Sequence, residues 1–524
     1  MFTALSFIAY TSFVAFYSWY KLRKHNLNSQ EGYFLGGRSL TGVIIAGSML
    51  LTNISTEHLI GMNGSSYKNG FIIIAWEVTS ALALVMAAVY FIPKYLKMGL
   101  TTIPQYLENR FDSSTRTLVA LFLMISFVVT LLPIVLYTGA INLESIFNIS
   151  EVLGVSKANG MLLTIICIGC IGSVYAIFGG LKAVAVSDTL NGYGLLIGGL
   201  AVPLIALVAI GDGNPLAGLS KIYHHAPEKF NVIGTRDSVL PFEVLFTGLI
   251  INQLYFWSMN QTIIQRALGA KNLAEAQKGL LFTGVLKILI PLVIILPGVI
   301  GFYYFGDSFY ENQDLIYPEL LKKIFPVGLL GVFAAIVMGA ILSTFNSVLN
   351  SASTIFSLDL YKQHIAPQSN GKQLVKIGRI SAAILALFSI FVAPLVAQAP
   401  DGLYQLLQQL NGIFFIPIAS ILLAGFFLPK VSAKGAKSAL FVGLAFYLLT
   451  TFVFDTGLHF VHLWGIEFVL NILIMLVVSY RSSSTKIATE PSSSLDMTPW
   501  KYTKTLSISL CIITILIYIV LGIQ

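Results

Sequence analysis

Long apolar segments separated by short polar ones run through the whole chain. A helix that crosses the hydrocarbon core of a bilayer takes roughly 17–25 residues. Fourteen segments reach this length, and the ninth is long enough to extend beyond the bilayer. The pattern predicts an all-α integral membrane protein with about fourteen transmembrane helices. The segments lie near 2–20, 41–66, 70–93, 117–143, 159–179, 183–210, 240–264, 279–306, 327–360, 377–398, 403–428, 435–454, 458–480 and 503–523.

The composition excludes a soluble protein. Hydrophobic residues make up 56% of the 524 residues and charged residues only 10%, whereas soluble domains carry about 25% charged residues. The first segment has no basic residues before it and no cleavage site after it, so we interpret it as a retained helix and not a signal peptide. Segment 482–498 is rich in serine and is predicted to be a flexible connector.

Lysine and arginine are distributed unequally between the loops. The loops that follow odd-numbered segments hold 23 of the 31 basic residues, and the other loops hold 7. Because basic loops stay on the cytoplasmic side, the pattern predicts a multi-pass protein of the cell (plasma) membrane with both termini outside. The basic loops, which explain the net charge of +8, then lie against anionic lipid of the inner leaflet. We therefore expect no binding to nucleic acid, and we expect no obligate protein partner.

The second apolar segment contains a group of polar residues, among them Asn53, Ser55 and His58. Such a group faces protein or water and not lipid. Gly61 and Gly64 follow and weaken the helix locally. A helix broken here frees backbone carbonyls that can bind a small hard cation. A kinked structural helix with packed polar side chains is the alternative.

Two charged residues lie deep inside apolar segments, Glu77 in the third and Lys287 in the eighth. A charge at the bilayer centre costs at least about 2.5–3.5 kcal/mol, so each residue needs a partner or a function. Ser80 lies on the helix face of Glu77, three residues on, and Trp76 adds an apolar ring. Two interpretations stay open: the charged residues bind a solute, or they form a structural pair.

The seventh segment combines amides with aromatic rings, and Gln253, Phe256 and Trp257 represent the two types. Amides donate and accept hydrogen bonds, and rings stack on C–H faces, so the combination suits a polyhydroxylated ring. Gln408 adds a further amide in the eleventh segment. An aromatic belt at the membrane interface is the alternative, although it explains only the rings.

Adjacent hydroxyls and one further acid complete the polar groups inside the apolar segments. Ser343 and Thr344 provide two neighbouring oxygens that suit Na⁺, or they bond to carbonyls of their own helix. Asp188 lies near the start of the sixth segment. It belongs either to a path by which a cation leaves or to a plain interfacial cap.

Two other classes of function lack their motifs. The sequence has no phosphate-binding glycine loop, which argues against an ATP-driven pump. It also has no plausible set of nucleophile, base and acid, so we expect no enzyme activity.

Five stretches together resemble the sodium/solute symporter family, specifically its sodium–sugar (glucose/galactose) cotransporter branch and uncharacterised bacterial members of that branch. The similarity runs in family order along essentially the whole chain. The stretches are GYFLGGRSL (32–40), TNISTEHLIGMNG (52–64), YAIFGGLKAVAVSD (175–188), NQTIIQRALGAKNLAEAQKG (260–279) and LSTFNSVLNSASTIFSLDLY (342–361).

The resemblance implies a LeuT-type inverted-repeat core within one transmembrane transporter domain, 1–524. Residues 1–40 would form an extra N-terminal helix and an inner loop. Residues 41–210 and 240–430 would form the two five-helix repeats, and residues 431–524 would add three C-terminal helices.

The resemblance also implies the site residues. Sodium would bind the carbonyls of Leu51, Ile54 and Ala340 and the hydroxyls of Ser343 and Thr344. Asp188, from its position alone, stays the candidate for an inner gate or cation exit. The expected solute-binding residues are His58, Trp76, Glu77, Ser80, Gln253, Phe256, Trp257, Lys287 and Gln408. Phe256 stands where a relative has a gate tyrosine, and Gln253 stands where it has asparagine, so the identity of the solute stays open.

The expected function is therefore sodium-coupled import of a neutral sugar, a hexose such as galactose or glucose, by alternating access. Sodium is the expected coupling ion, and a neutral sugar or polyol is the expected substrate. Import of inositol or another small neutral solute is the first alternative. A transporter-like sensor or channel that does not concentrate its solute is the second.

Overall fold

The computed structural model of the protein describes residues 2–23, 27–55, 57–398, 403–480 and 494–522. The predicted connector 482–498 lies outside the described residues up to position 493. The described residues are mostly helical and contain no named β-strand. The helices labelled here are α1 (Phe2–Leu22), α2 (Gly42–Asn53), α3 (Asn63–Asn69), α4 (Ser80–Met86), α5 (Ser113–Ile125), α6 (Leu132–Phe147), α7 (Lys157–Ile210), α8 (Gly248–Ser258), α9 (Gln261–Leu268), α10 (Leu273–Leu289), α11 (Leu296–Phe305), α12 (Val327–Ile355), α13 (Gly371–Val392), α14 (Leu403–Phe427), α15 (Ala433–Phe452), α16 (Phe460–Tyr480) and α17 (Thr503–Gly522).

Shorter helices and single turns complete the described chain. They lie at Gln30–Phe34, Gly36–Arg38, Glu57–Met62, Gly70–Ile74, Ala75–Val78, Ala87–Phe91, Ile92–Lys97, Ile103–Arg110, Ser126–Leu131, Ile149–Leu153, Pro215–His225, Pro227–Phe230, Phe242–Phe246, Pro291–Ile294, Gln313–Leu315, Ile316–Ile324, Phe356–Ile365 and Ala393–Gln398.

Several predicted segments are joined into longer helices. Within the described ranges, nine helices are long and apolar enough to cross a membrane, and a tenth candidate is the pair Leu273–Leu289 and Pro291–Phe305, bent by 42°. The 54-residue α7 joins the fifth and sixth predicted segments across a kink at Gly180, where φ is 57°. A Cβ there would lie 2.6 Å from the Tyr33 carbonyl oxygen. Both the backbone angle and the close approach therefore require glycine.

The second predicted segment is interrupted, but the interruption precedes its glycines. Helix α2 ends at Asn53, and Ile54 leaves the helical conformation with φ −90° and ψ 89°. Gly61 and Gly64, expected to weaken the helix, serve close packing instead. A Cβ on Gly61 would lie 2.8 Å from Cβ of Tyr404, and one on Gly64 would lie 2.8 Å from a backbone oxygen.

Helices α8 and α9 form a second interrupted element. Met259 departs from helical geometry with φ −133°, and the side chain of Asn260 caps α9 by accepting from the Thr262 amide at 2.9 Å. A short backbone bridge links the end of α9 to the start of α2. The Leu40 amide donates to the Gly269 carbonyl at 3.1 Å, and the Lys271 amide donates back to Leu40 at 3.1 Å. The two interrupted elements therefore lie side by side.

Large apolar side chains cover the outside of the bundle. Phe16 of α1, Phe391 of α13, Val477 of α16 and Ile515 of α17 are exposed. Soluble proteins rarely expose contiguous apolar surface of this kind. These faces are the ones that contact lipid, and the polar residues of the apolar segments are packed inside the bundle.

Candidate functional site

A cavity of about 60 Å³ lies among the helices, beside the interruption after α2. The side chains around it come from α4, α8, α9, α10, α12 and α14, from the short helices Ala75–Val78 and Ser126–Leu131, and from the residues that flank the two interruptions. All nine residues expected to bind the solute line this cavity: His58, Trp76, Glu77, Ser80, Gln253, Phe256, Trp257, Lys287 and Gln408. The fold thus brings together residues that lie up to 350 positions apart in the sequence.

The ammonium of Lys287 meets two partners in this cavity wall. It donates to the Glu77 carboxylate and to Asn53 Oδ1, the second at 2.7 Å. Both charged side chains are 1% exposed. The ammonium also lies 5.3 Å from the centre of the Trp257 ring, within the range of a cation–π interaction. The pair is therefore buried and neutral overall, and it borders a cavity.

Gln253 organises the opposite part of the wall. Its Nε2 donates to the Trp76 carbonyl at 2.8 Å. Its Oε1 accepts from the Ser80 hydroxyl at 3.1 Å and from Trp257 Nε1 at 3.1 Å. One amide therefore orients the Trp257 indole and the Ser80 hydroxyl and binds the backbone at Trp76.

Tyr404 separates the cavity from a larger space at one end of the bundle. Its ring packs edge-on against His58 at 5.2 Å and against Trp76 at 5.9 Å between ring centres. Gln408 Nε2 donates to the Tyr404 hydroxyl at 2.8 Å. Beyond this layer lies a vestibule of about 830 Å³, lined by Gly61 and by residues of α6 and of the loops near 150 and 314.

The residues expected to bind sodium lie where α12 passes the interruption after α2. Leu51, Ile54 and Ala340 are fully buried. The Thr344 hydroxyl donates to the Thr52 carbonyl at 3.1 Å and also borders the central cavity. It therefore joins the interrupted helix to α12, and the two elements together present carbonyl and hydroxyl oxygens next to the solute cavity.

Asp188 belongs to a separate buried network, which we call the Arg266 cluster and define as Ser48, Asp188, Arg266 and Ser347. Asp188 Oδ2 accepts from the Ser48 hydroxyl at 2.8 Å and lies 3.6 Å from the Arg266 guanidinium. Arg266 donates to Ser48 Oγ at 3.0 Å and to the Ser347 hydroxyl. Ser347 in turn lies 3.1 Å from the Thr52 hydroxyl.

The charge pattern placed Arg266 among the basic residues of the loops, and this assignment is wrong. Arg266 is fully buried, because its guanidinium has an acid and two hydroxyls as partners within the bundle. Ser347 of this cluster lies beside the Thr52 hydroxyl, and the Thr52 carbonyl accepts from Thr344. Asp188 and the Arg266 cluster thus adjoin the residues expected to hold sodium.

Asn53 and Tyr404 are the two most informative cavity residues that were not among the predicted ligands. Asn53 accepts from Lys287, and Tyr404 closes the cavity toward the vestibule. The sequence carried a signal for each. Asn53 belongs to the polar group of the second segment, and Tyr404 lies one helical turn before Gln408.

Comparisons with known proteins agree on one family. The model of the sodium:solute symporter family matches residues 33–443. The uncharacterised symporter YidK of Escherichia coli (strain K12) is 42% identical over 515 residues, which cover 98% of this chain and 90% of that protein. The sodium/glucose cotransporter of Vibrio parahaemolyticus is 32% identical, covering 91% of this chain and 89% of the relative.

More distant similarities concern an animal protein and a solved structure. The sodium/myo-inositol cotransporter of Bos taurus is 30% identical over 81% of this chain and 63% of its own length. A Na⁺-coupled sialic acid symporter, solved in a substrate-bound outward-open state, superimposes with a TM-score of 0.78 at 20% identity over 93% of this chain and 99% of that one. This last similarity concerns the fold alone.

Proposed function

Because the chain belongs to the sodium:solute symporter family, we propose that it imports a small neutral polyhydroxylated solute, a hexose such as galactose or glucose, together with sodium. The protein is a multi-pass membrane transporter that couples a solute to sodium, and it is not an enzyme. Sodium is its coupling ion. The identity of the solute and the assignment of the site residues are the proposal.

The wall of the central cavity is the observation that carries this proposal. Lys287 and Glu77 cancel each other's charge, so the cavity favours a neutral solute over an anion or a cation. Ammonium, carboxylate, amide and hydroxyl groups can each exchange one of their present partners for a solute hydroxyl. Lys287, Glu77, Ser80, Gln253 and Gln408 would bind hydroxyls in this way.

The aromatic residues of the wall would bind the apolar C–H faces of the solute. Trp76 and Trp257 are held by the Gln253 amide network, and Phe256 and His58 add two more rings. Ring faces stack on the C–H faces of a pyranose or cyclitol. The combination of fixed rings and hydrogen-bonding groups is typical of sites for small polar ligands.

Sodium would bind beside the solute, on the interrupted helix. The proposed ligands are the carbonyls of Leu51, Ile54 and Ala340 and the hydroxyls of Ser343 and Thr344. Sodium held between α2 and α12 would fix the residues that follow the interruption, including His58, in the form that binds solute. By linkage the solute must raise the affinity for sodium by the same factor.

We place the protein in the cell membrane with both termini outside. A potential of about 100 mV, negative inside, then adds about 2.3 kcal/mol per sodium ion to the driving force. Asp188 would lie on the path by which sodium leaves toward the cytoplasm. We further propose that the repeats are 41–210 and 240–430, with their interrupted helices side by side at the site.

A cyclitol is the second candidate solute. The similarity to sodium/myo-inositol cotransporters, at 30% identity, favours it, and the similarity to the sodium/glucose cotransporter, at 32%, favours the hexose. Inositol and a hexose have similar size and hydroxyl density, so the present cavity wall suits both.

Uptake into proteoliposomes tests the proposal. We expect labelled galactose, glucose or myo-inositol to accumulate above its outside concentration when sodium is high outside, and not when potassium replaces it. An interior-negative potential should increase the accumulation. Equilibration without accumulation would establish the sensor or channel alternative, and failure of all three solutes while a charged solute accumulates would overturn the neutral-solute assignment.

A further inference from the structure

Helix α16 carries an acidic residue, Glu467, that belongs neither to the central cavity nor to the Arg266 cluster. Its side chain is fully buried, where α16 packs against α8, α14 and α15. It lies within a segment long and apolar enough to cross a membrane. An ionisable residue in such a position is expensive to keep and points to a binding function.

The carboxyl group of Glu467 has no hydrogen-bond partner among the described residues, and Trp464 Nε1, a buried donor one turn earlier on α16, has no partner there either. No salt bridge of those residues involves Glu467. Asn471 lies one helical turn further along the same helix and is also buried. The Asn471 Nδ2 group donates to Ser420 Oγ at 3.3 Å, and Asn471 Oδ1 has no donor among the described residues.

A single proton on Glu467 removes its charge and supplies one of the missing donors. Three buried acceptor oxygens, two of Glu467 and one of Asn471, have no donor among the described residues. Protonation converts one carboxylate oxygen into an O–H group that can donate to Asn471 Oδ1, and it removes the charge. An isolated ionised carboxylate in an apolar interior is so costly that the group takes up a proton instead.

A metal cation fits this position less well than a proton. Cations held by oxygen need several ligands around them, whereas the helices here are in close contact. A Cβ on Gly443 of α15 would lie 2.4 Å from Asn471 Oδ1, and one on Gly412 of α14 would lie 2.7 Å from the Tyr447 hydroxyl. We therefore propose that Glu467 is a proton-binding site, occupied whenever α14, α15 and α16 are packed as they are here.

The proton site lies behind the wall of the central cavity. Trp464, one turn before Glu467, packs edge-on against Trp76 with 6.1 Å between ring centres. Tyr447 donates to the Gln409 carbonyl at 3.0 Å. The titratable side chains that α8, α14 and α15 bring to this region are Tyr255, Tyr404 and Tyr447, and free tyrosine loses its proton only near pH 10.

Infrared spectroscopy of the purified wild-type protein tests the assignment directly. We expect a carbonyl stretching band of a protonated carboxylic acid at neutral pH, with and without sodium, that is absent from Glu467→Gln. Asn471→Leu should shift the band, because the acid loses its acceptor. An ionised carboxylate at neutral pH, a signal that appears only with sodium removed, or a band unchanged in Glu467→Gln would overturn the proposal.

The pH dependence of thermal unfolding supplies a second test. Above about pH 4.3, where an exposed glutamate ionises, the folded wild type holds one proton that the unfolded chain has lost. Its unfolding equilibrium should therefore shift toward the unfolded state by up to a factor of ten per pH unit relative to Glu467→Gln. Glu311→Gln, which changes an exposed glutamate, is the matched control and should keep the wild-type slope. A parallel slope in all three proteins would overturn the proposal.

Discussion

Two buried ion pairs of this protein have similar chemistry and different surroundings. Lys287 and Glu77 lie on the wall of a cavity, where the ammonium has Asn53 as its other hydrogen-bond partner and the Trp257 ring nearby. Arg266 and Asp188 lie within a packed network in which both charged groups are hydrogen-bonded to the hydroxyl of a serine. The first pair can exchange partners with a solute, whereas the second pair holds helices together.

The choice of cation matches this difference. The guanidinium of arginine presents five donors in a rigid fork, which suits a fixed network. The ammonium of lysine is a compact charge on a flexible chain, and its three donors can be shared between protein and ligand. We therefore expect changes to the Lys287 pair to abolish transport, and changes to the Arg266 pair to lower stability first.

Lys287→Ala should have the largest effect. Removing one partner of a buried pair costs about 3–5 kcal/mol, and an equal loss of solute binding corresponds to at least about a 100-fold fall in affinity. Solute uptake should fall to background in proteoliposomes. Thermal stabilisation by sodium should persist, because the proposed sodium ligands are untouched.

A double variant separates the binding role of the pair from a structural one. Lys287→Met with Glu77→Met removes both charges and should recover the stability lost in the single variant without recovering uptake. Lys434→Ala, at an exposed lysine outside the cavity and the vestibule, is the control for lysine loss. Restored uptake in the double variant would show that the pair is structural.

Arg266→Met should lower stability most among the changes outside the cavity. It leaves Asp188 buried without its guanidinium, at a cost of about 3–5 kcal/mol, and thermal unfolding reports the loss. Arg236→Met is the matched control, since the Arg236 side chain is 93% exposed and should change stability by less than about 0.5 kcal/mol. Equal stability of the two variants would contradict the role given to the cluster.

Thr344→Val should weaken sodium binding by about tenfold, the effect of losing one oxygen contact worth about 1.4 kcal/mol. The sodium concentration needed for half-maximal thermal stabilisation measures it. Thr164→Val is the matched control, because the Thr164 hydroxyl donates to its own helix at Gly160, 2.8 Å away. An unchanged sodium dependence in Thr344→Val would remove Thr344 from the site.

Ser80→Ala should have the smallest effect, about threefold on the solute concentration for half-maximal uptake. Its hydroxyl makes one neutral hydrogen bond to Gln253 in the cavity wall, and such bonds contribute about 0.5–1.5 kcal/mol. Ser389→Ala, which removes a buried hydroxyl bonded to its own helix at 2.8 Å, should leave uptake unchanged. A loss as large as that of Lys287→Ala would mean that Ser80 contacts the solute more strongly than the wall geometry indicates.

Much of the fold and of the cavity followed from the sequence. Each of the nine residues expected at the solute site borders the cavity, because a polar group in an apolar helix has few places other than a shared interior site. The interruption of the second segment was expected, but its position at Ile54 was not. The glycines that suggested the break are needed for packing against Tyr404 and Gln313, contacts that span more than 200 residues of sequence.

Some features were invisible to the sequence for the same reason. The loop assignment of Arg266 rested on its distance from an apolar segment, whereas its burial depends on an acid 78 residues earlier and a serine 81 residues later. Glu467 has no hydrogen-bond partner among the described residues, and this too depends on which side chains the neighbouring helices bring close to it. The sequence shows which residues are charged, but contacts between residues far apart in the chain determine which groups they pair with.

The sequence by itself determined that the chain is a helical membrane protein, which of its segments are apolar, and that charged and amide residues inside those segments must be shielded from lipid. Exposing such groups to hydrocarbon is costly in any arrangement of the helices, so these conclusions do not depend on how the helices pack. The tertiary structure decided which groups meet. It put Lys287 beside Glu77 and Asn53 at a cavity, enclosed Arg266 with Asp188, and left Glu467 without a donor among the residues that the structure describes. Hydrogen bonds and ion pairs act over a few ångströms, so only the packed arrangement of helices fixes them.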